Sequence, residues 1–206
     1  MTRFFSVLLL CVVTTLASAK PAVPPVILVL GDSLSAGYGL PNGSGWVSLL
    51  ERRLRTQGYP HRVLNASISG DTSAGGLSRL PAALDAHKPL LVLVELGGND
   101  GLRALPVPEL RANLDRIAAL SQAAGATPVL FEMRIPSNYG PAYTERFAQL
   151  FGGLASARKL PLVPFFLGAI ATDPTRFQDD GIHPNAAAQP KLLDAVWPVL
   201  KPLLKK

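Results

Sequence analysis

Four short polar segments hold the side chains of this sequence that are best suited to chemistry. Each follows a predicted strand or precedes a predicted helix, and they are Gly31 to Ser33, Ser67 to Asp71, Gly97 to Asp100 and Asp179 to Pro184. Ser33 offers a hydroxyl nucleophile, which needs a base because a free hydroxyl does not ionise near neutral pH. His183 lies beside an acid in such a segment, whereas His61 and His87 do not. We therefore expect His183 to act as the base toward Ser33.

An orienting acid for this histidine is available nearby. Asp180, three residues before His183, can turn back and accept a hydrogen bond from one imidazole nitrogen, which would fix the tautomer and stabilise the imidazolium. Asp179 also precedes the histidine, and composition does not choose between the two carboxylates. The spacing favours Asp180, because three residues span one turn and Gly181 gives the backbone the freedom to make it. We expect the side chain of Asp179 to point elsewhere.

The same segments contain hydrogen-bond donors for a developing negative charge. Asn99 offers a side-chain amide, and the backbone N–H groups of Gly70 and Ser33 can point at the same spot, because glycine lets the backbone approach a ligand closely. Taken singly, each segment also fits a turn or a helix cap. Together they supply a nucleophile, a base, an orienting acid and an oxyanion hole, which are the parts of an acyl-transfer site.

Other kinds of site do not match the sequence. Cys11 is the only cysteine and lies inside a predicted signal peptide, so the mature chain has no thiol nucleophile and no Cys-ligated metal. The three histidines are too scattered for a short metal-ligand spacing. Gly31, Gly37 and Gly39 do not form the Gly-x-Gly-x-x-Gly pattern, and no Gly-x-Ser-x-Gly elbow occurs. We expect neither a metal nor a cofactor.

The charge pattern argues against a nucleic-acid partner. The chain carries a formal net charge of +6 at pH 7, but several of its lysines lie at the ends. The run Arg52-Arg53-Leu54-Arg55 fits the solvated face of a helix, and the sequence contains no other basic stripe. A small-molecule substrate is the expected partner, and we expect the protein to be a monomer.

The first residues have the composition of a targeting segment. Arg3 precedes the apolar run Phe4–Leu16, and Ala17-Ser18-Ala19 fits a signal-peptidase site. The run is shorter than the roughly 20 residues of a spanning helix. Acylation of Cys11 as a lipoprotein is an alternative, disfavoured by the bulky Leu10 before it. We expect a signal peptide over residues 1–19, no stable membrane anchor after cleavage, and a periplasmic or secreted protein.

Apolar and amphipathic runs alternate through the rest of the chain. Strands are predicted at Val26–Leu30, Arg62–Ala66, Leu90–Leu96, Pro128–Met133 and Leu160–Phe165, and helices at Trp46–Gln57, Ala74–Ala86, Pro108–Ala124, Pro141–Arg158 and Asn185–Leu204. Strands that alternate with helices indicate an α/β fold, a doubly wound parallel sheet with helices on both faces. Because no linker interrupts the pattern, we expect one domain over residues 20–206. The carboxyl ends of parallel strands meet at one edge, which would bring the polar segments together.

These residues resemble a known family. Gly-Asp-Ser-Leu at residues 31–34, Gly70, Asn99 and the Asp-x-x-His that ends at His183 are similar, in this order, to the four signature blocks of the SGNH (GDSL) hydrolases. The segments NASISGDTSAGGL, LGGNDGLR, RIPSNYGPAY and DDGIHPNAAAQP extend the resemblance to periplasmic multifunctional esterases of that family. It covers most of the chain from Ile27 to Pro190.

The resemblance implies a fold and an activity. The fold would be a flavodoxin-like three-layer α/β/α sandwich around a five-stranded sheet. Ser33, Asp180 and His183 would be catalytic, and Ser33, Gly70 and Asn99 would form the oxyanion hole. The substrates would be acyl esters and thioesters, with arylesterase, acyl-CoA thioesterase and lysophospholipase activities.

The substrate class leaves alternatives open. Leu102, Ile135, Pro136 and Tyr139 lie in loops after strand ends, where we expect them to line an acyl groove, although they could instead only pack these loops. A carbohydrate O-deacetylase on the same scaffold is an alternative, but a sugar site would show more stacked aromatics and carboxylates. A non-catalytic protein that binds acyl ligands is a third interpretation.

Overall fold

A single parallel sheet forms the centre of the protein in the computed structural model, which describes residues 23–206. Its five strands are β1 (Val26–Gly31), β2 (Arg62–Asn65), β3 (Leu91–Glu95), β4 (Thr127–Phe131) and β5 (Leu162–Val163). Their spatial order is β2-β1-β3-β4-β5, and all neighbours are parallel. From β1 the chain adds β2 on one side, and it then adds β3, β4 and β5 in turn on the other side. The crevice between β1 and β3 is the switch point where such sheets bind ligands.

Hydrophobic burial explains the central strands. Every residue of β1 and β3 is buried, in keeping with strands that are covered on both faces. The edge strand β2 is only partly buried. The residues of β1 align with β3 so that Gly31 lies beside Glu95 at the carboxyl edge. This register brings the ends of the two strands together.

Helices cover both faces of the sheet and give three layers. They are α1 (Ser33–Ala36), α2 (Trp46–Thr56), α3 (Ser73–His87), α4 (Gly98–Leu102), α5 (Val107–Ala123), α6 (Pro141–Arg158) and α7 (Gln189–Leu200). Helix α2 packs against α7, and α3, α5 and α6 pack side by side. The predicted α/β sandwich with a five-stranded parallel sheet is therefore confirmed.

Several element boundaries differ from the predictions. Strand β5 has two residues rather than the predicted six, because Pro161 and Pro164 flank it and proline has no N–H for a ladder. The predicted closing helix begins as a 3₁₀ turn at Ala186–Ala188 and continues as α7, which contains Pro198 and ends at Leu200. The short helices α1 and α4 were not predicted.

Two observations concern membranes and targeting. Within residues 23–206, no helix is both long and apolar enough to cross a membrane. The signal peptide predicted over residues 1–19 lies outside the described residues.

Candidate active site

The turn after β1 places Ser33 at the carboxyl edge of the sheet. Asp32 caps α1, because its Oδ1 accepts a hydrogen bond from the N–H of Leu34 at 3.0 Å. Ser33 is the first residue of this one-turn helix, and Gly37, in the left-handed region (φ 78°), caps its carboxyl end. The apolar strand thus ends abruptly in a turn that presents a serine hydroxyl beside the switch point.

Three predicted residues form a continuous chain of hydrogen bonds. Ser33 Oγ lies 2.8 Å from His183 Nε2, and His183 Nδ1 lies 2.7 Å from Asp180 Oδ2. With the proton on Nδ1, the imidazole donates to Asp180 and can accept the proton of Ser33 at Nε2. The arrangement has the geometry of an activated serine nucleophile.

The loop before α7 fixes Asp180 in this position. Its Oδ1 accepts hydrogen bonds from the backbone N–H groups of Ile182 and His183, both at 2.9 Å. The pKa of Asp180 is lowered to about 2, mainly by the hydrogen bond from the backbone N–H of His183 and next by the hydrogen bond with the His183 ring. The carboxylate is therefore charged across the working pH range of most enzymes. Asp179 is exposed, and its side chain forms no hydrogen bond to His183.

A second set of contacts supports the histidine. The ring of Tyr38 lies 4.6 Å from the imidazole of His183, centroid to centroid. Gln178 links the loop of Tyr38 to the loop of His183. Its Nε2 donates to the carbonyl of Tyr38 at 2.8 Å, and its backbone N–H donates to the carbonyl of His183 at 2.8 Å. A side chain at Gly39 would collide with Gln178. Sequence analysis missed Tyr38 and Gln178, although Gly37 and Gly39, on either side of Tyr38, are a local signal for a loop at this place.

Asn99 connects the turns that carry Ser33 and Gly70, the other two predicted oxyanion-hole residues, and it lines the cleft together with Ser33, whereas Gly70 does not. The backbone N–H groups of Ser33 and Gly70 are not engaged by any acceptor in the described part of the chain. The amide of Asn99 donates to Asp32 Oδ2 at 3.0 Å and to the carbonyl of Asp71 at 2.9 Å. In the free protein, both amide hydrogens of Asn99 are thus already committed.

Two arginines hold the turn around Gly70. Arg79 of α3 pairs with Asp71 at 2.8 Å and donates to the carbonyl oxygens of Ala66 and Gly31. Arg103 donates to the carbonyl of Gly70 at 2.8 Å. Neither arginine was predicted to serve the site, because nothing in the local sequence indicates which carbonyls they reach.

A largely apolar cleft of about 480 Å³ opens beside Ser33, Asn99 and His183. Leu102, Ile135 and Pro136 lie in its wall, as do residues that sequence analysis missed, namely Leu34, Met133, Phe165, Leu167 and Phe177. Tyr139 does not line the cleft, and its hydroxyl donates to the carbonyl of Leu102 at 2.7 Å. Its role is therefore to hold the loop that carries Leu102.

Two further features of residues 23–206 bear on the choice of site. A larger groove of about 760 Å³ lies where α5 and α6 begin, and it contains none of the predicted site residues. No group of three or more His, Asp or Glu side chains in this part of the chain is arranged to hold a metal ion.

The sequence model of the GDSL-like Lipase/Acylhydrolase family matches residues 29–189. The chain belongs to this family. Within it, the chain is 52% identical over 185 residues to Esterase TesA of Pseudomonas aeruginosa, which covers 90% of this chain and 92% of the relative. It is 44% identical over 189 residues to Thioesterase 1/protease 1/lysophospholipase L1 of Escherichia coli (strain K12), which covers 92% of this chain and 89% of the relative.

A solved structure of a family relative agrees with the fold. The psychrotrophic esterase EstA from Pseudoalteromonas sp., in a structure inhibited by monoethylphosphonate, superimposes with a TM-score of 0.83 at 43% identity. The match covers 86% of this chain and 97% of that chain. The GDSL hydrolase fold and the order of the four blocks therefore occur together in this protein.

The two neighbouring aspartates of this family member should differ sharply when each is changed to asparagine. In Asp180→Asn the oxygen can keep the bonds from the backbone N–H groups, so the amide faces Nδ1 of His183 and favours the wrong tautomer. The equivalent change in a serine protease lowers turnover by roughly 10⁴, and we expect a loss of about 10²–10⁴ in kcat on an aryl ester near pH 8. Asp179→Asn is the matched control, with a loss of less than about tenfold. The assignment would be contradicted if Asp179→Asn showed the large loss in kcat, or if both variants lost less than about tenfold.

The buried Asp32 should make stability depend on pH. Burial, offset in part by the bonds from Leu34 and Asn99, raises the pKa of Asp32 to about 6. This pKa lies above the roughly 3.9 of aspartate in an unfolded chain, so the folded protein binds the proton more tightly than the unfolded chain does. The stability that this proton contributes is fully present below about pH 4 and is lost as the pH rises through the folded pKa. Asp32→Asn removes this titration. Relative to wild type, the free energy of unfolding of the variant should rise between about pH 4 and pH 7 by on the order of 2 kcal/mol.

Urea unfolding at several pH values measures this difference. Asp85→Asn, which removes an exposed carboxylate of α3, is the control for the change in charge. A difference between Asp32→Asn and wild type that does not vary with pH would show that Asp32 has an ordinary pKa.

Proposed function

We propose that the protein is a serine esterase and thioesterase that hydrolyses acyl esters through an acyl-enzyme on Ser33. The observation that carries the proposal is the hydrogen-bonded chain from Ser33 through His183 to Asp180 at the wall of an apolar cleft. The names of the relatives, which include esterase, thioesterase and lysophospholipase, support the same reaction class.

Acylation begins with Ser33. Its Oγ attacks the carbonyl carbon while Nε2 of His183 takes the hydroxyl proton, and Asp180 stabilises the imidazolium that forms. The electron pair of the carbonyl moves to its oxygen, where the N–H groups of Ser33 and Gly70 donate. Collapse breaks the bond to the alcohol or thiol, which leaves with the proton from His183.

Deacylation repeats the steps with water. His183 removes a proton from water as its oxygen attacks the acyl carbon, and the second tetrahedral intermediate forms in the same oxyanion hole. When this intermediate collapses, the bond to Ser33 Oγ breaks and His183 returns the proton to it. The products are a carboxylic acid and the free enzyme.

Asn99 needs one exchange before it can donate to the oxyanion. Because both hydrogens of its amide are engaged in the free protein, one of the two bonds must be released before the amide can donate to the substrate oxygen. The other bond then keeps the amide in the site. Catalytic hydrogen bonds often tighten in this way only when substrate is bound.

The cleft favours an acyl chain as the substrate group. Its wall contains methionine, phenylalanine and branched aliphatic side chains, and apolar burial stabilises a bound chain by about 0.8 kcal/mol per CH₂. A carbohydrate O-deacetylase, the alternative on this scaffold, would need polar partners for sugar hydroxyls along the same wall. Aryl esters, acyl-CoA thioesters and lysophospholipids all carry the required acyl group.

The remaining features of the proposal rest on the sequence. We propose cleavage of a signal peptide over residues 1–19, one domain over residues 20–206, and a monomer that acts in the periplasm or outside the cell without a cofactor. The reaction above uses only side chains and backbone groups of this chain.

The activity is tested by hydrolysis of p-nitrophenyl acetate, butyrate and octanoate, an acyl-CoA and a lysophospholipid. We expect turnover of all three classes, and Ser33→Ala should lower kcat by at least about 10³ while the unfolding transition is preserved. Full activity in Ser33→Ala would exclude the acyl-enzyme. Release of acetate from acetylated sugars alone would favour the O-deacetylase.

Acyl-chain preference tests the cleft. Ile135→Ala removes apolar contact from the wall, so kcat/KM for the octanoate relative to the acetate should fall by about 5–50-fold. Leu90→Ala removes a partly exposed leucine next to the amino end of β3 and is the matched control. An unchanged octanoate-to-acetate ratio in Ile135→Ala would mean that the residue only packs its loop.

A further inference from the structure

A buried glutamate lies beneath the nucleophile turn. Glu95, the last residue of β3, is fully buried, and its Oε2 accepts a hydrogen bond from Ser35 Oγ at 2.6 Å. The same oxygen lies 3.4 Å from the backbone N–H of Asp32, which donates to it. Ser33 stands between these two contact points in the chain. One carboxyl oxygen therefore holds the turn on both sides of the nucleophile.

Gly31, the last residue of the neighbouring strand β1, leaves room for the Glu95 carboxyl. A Cβ at Gly31 would lie 2.8 Å from Glu95 Oε2 and 2.8 Å from the side chain of Ser35. The φ angle of Gly31 is not in the left-handed region, so the backbone conformation does not demand glycine. The first glycine of the Gly-Asp-Ser-Leu block is thus explained by the volume that Glu95 and Ser35 occupy.

A carboxyl in this place is costly for the core. Burying a polar group costs free energy unless its hydrogen bonds are satisfied, and Oε1 of Glu95 has no partner in residues 23–206. Burial, reinforced by the charge of Asp32, raises the pKa of Glu95 well above its ordinary value. Arg79 approaches the carbonyl of Gly31 rather than the glutamate. An apolar side chain would fill the space at lower cost, which indicates a role beyond packing.

We propose that Glu95 is a positioning residue for the nucleophile: its carboxyl clamps the turn from Asp32 to Ser35 and so aims the Ser33 hydroxyl at His183. This inference rests on the proposed function. Helix α1 is a single turn and has little stability of its own. Small displacements of a reacting group are costly, since a shift of about 1 Å can lower a rate by about 10²-fold.

The test compares Glu95→Ala with Glu95→Gln. Alanine removes both contacts, and we expect kcat on p-nitrophenyl butyrate to fall by about 10–100-fold while KM stays within about threefold. Glutamine keeps an oxygen that accepts from Ser35 and Asp32, so kcat should stay within about fivefold of wild type. Gly31→Ala, which displaces the carboxyl, should resemble Glu95→Ala.

Stability and activity are separated by a control on the same strand. Leu93→Ala opens a cavity in β3 two residues earlier and should lower the unfolding midpoint, yet it should keep kcat per folded molecule. Ser35→Ala removes only one contact and serves if Glu95→Ala does not fold, with an expected fall in kcat of about 3–10-fold.

Each outcome decides the inference. The inference would be overturned if Glu95→Ala or Ser35→Ala kept the wild-type kcat. It would also be overturned if Glu95→Gln or Leu93→Ala lost as much kcat as Glu95→Ala. Wild type and Ser33→Ala are assayed alongside, because turnover that survives in Ser33→Ala would refute the proposed function itself rather than the role of Glu95.

Discussion

The hydrogen bond between Ser33 and His183 joins two parts of the chain that are 150 residues apart. It forms only if the turn after β1 and the loop before α7 reach the same point at the carboxyl edge of the sheet. The strand order provides this, because the chain leaves β1 in one direction and returns beyond β3 in the other. The buried strands β1 and β3 give the site its rigid base. Loop contacts such as the one from Gln178 to the Tyr38 carbonyl then complete the approach.

Solvent exposure divides the carboxyl groups of the site into two kinds. Asp180 is exposed and accepts hydrogen bonds from two backbone N–H groups, which keep it charged beside the imidazole. Asp32 and Glu95 are buried, and burial raises the pKa of each. The charged group faces the base, whereas the buried pair supports the nucleophile turn and the amide of Asn99. Such a separation of environments is how one site assigns different tasks to chemically similar residues.

Local patterns were enough to predict much of this arrangement. The alternation of apolar strands with amphipathic helices predicted the sheet, and the spacing between Asp180 and His183 pointed to the carboxylate that the structure places on the imidazole. These features depend on residues that are close in the chain or on the general geometry of parallel sheets. Tyr139 was placed in the cleft by its position after a strand end, but its hydroxyl turns to the carbonyl of Leu102.

Long-range contacts were beyond the sequence patterns. In the sequence, Arg79 has the pattern of a solvated arginine on the surface of α3. Glu95 follows an apolar run, and nothing near it in the sequence indicates which groups its carboxyl contacts. The contacts of Arg79 with the carbonyl of Gly31 and of Glu95 with Ser35 join residues far apart in sequence, so a linear pattern carries little information about them. The short extent of β5 is different, because Pro161 and Pro164 are local signals that the predicted strand did not take into account.

Active-site titration with a p-nitrophenyl alkylphosphonate shows whether Ser33 is an activated nucleophile. An activated serine should displace the nitrophenolate and retain the phosphonyl group. We expect a burst of one nitrophenolate per chain and a label on the peptide that contains Ser33, and neither of them in Ser33→Ala. A label on Ser35 or Ser69, or a burst that survives in Ser33→Ala, would contradict this expectation.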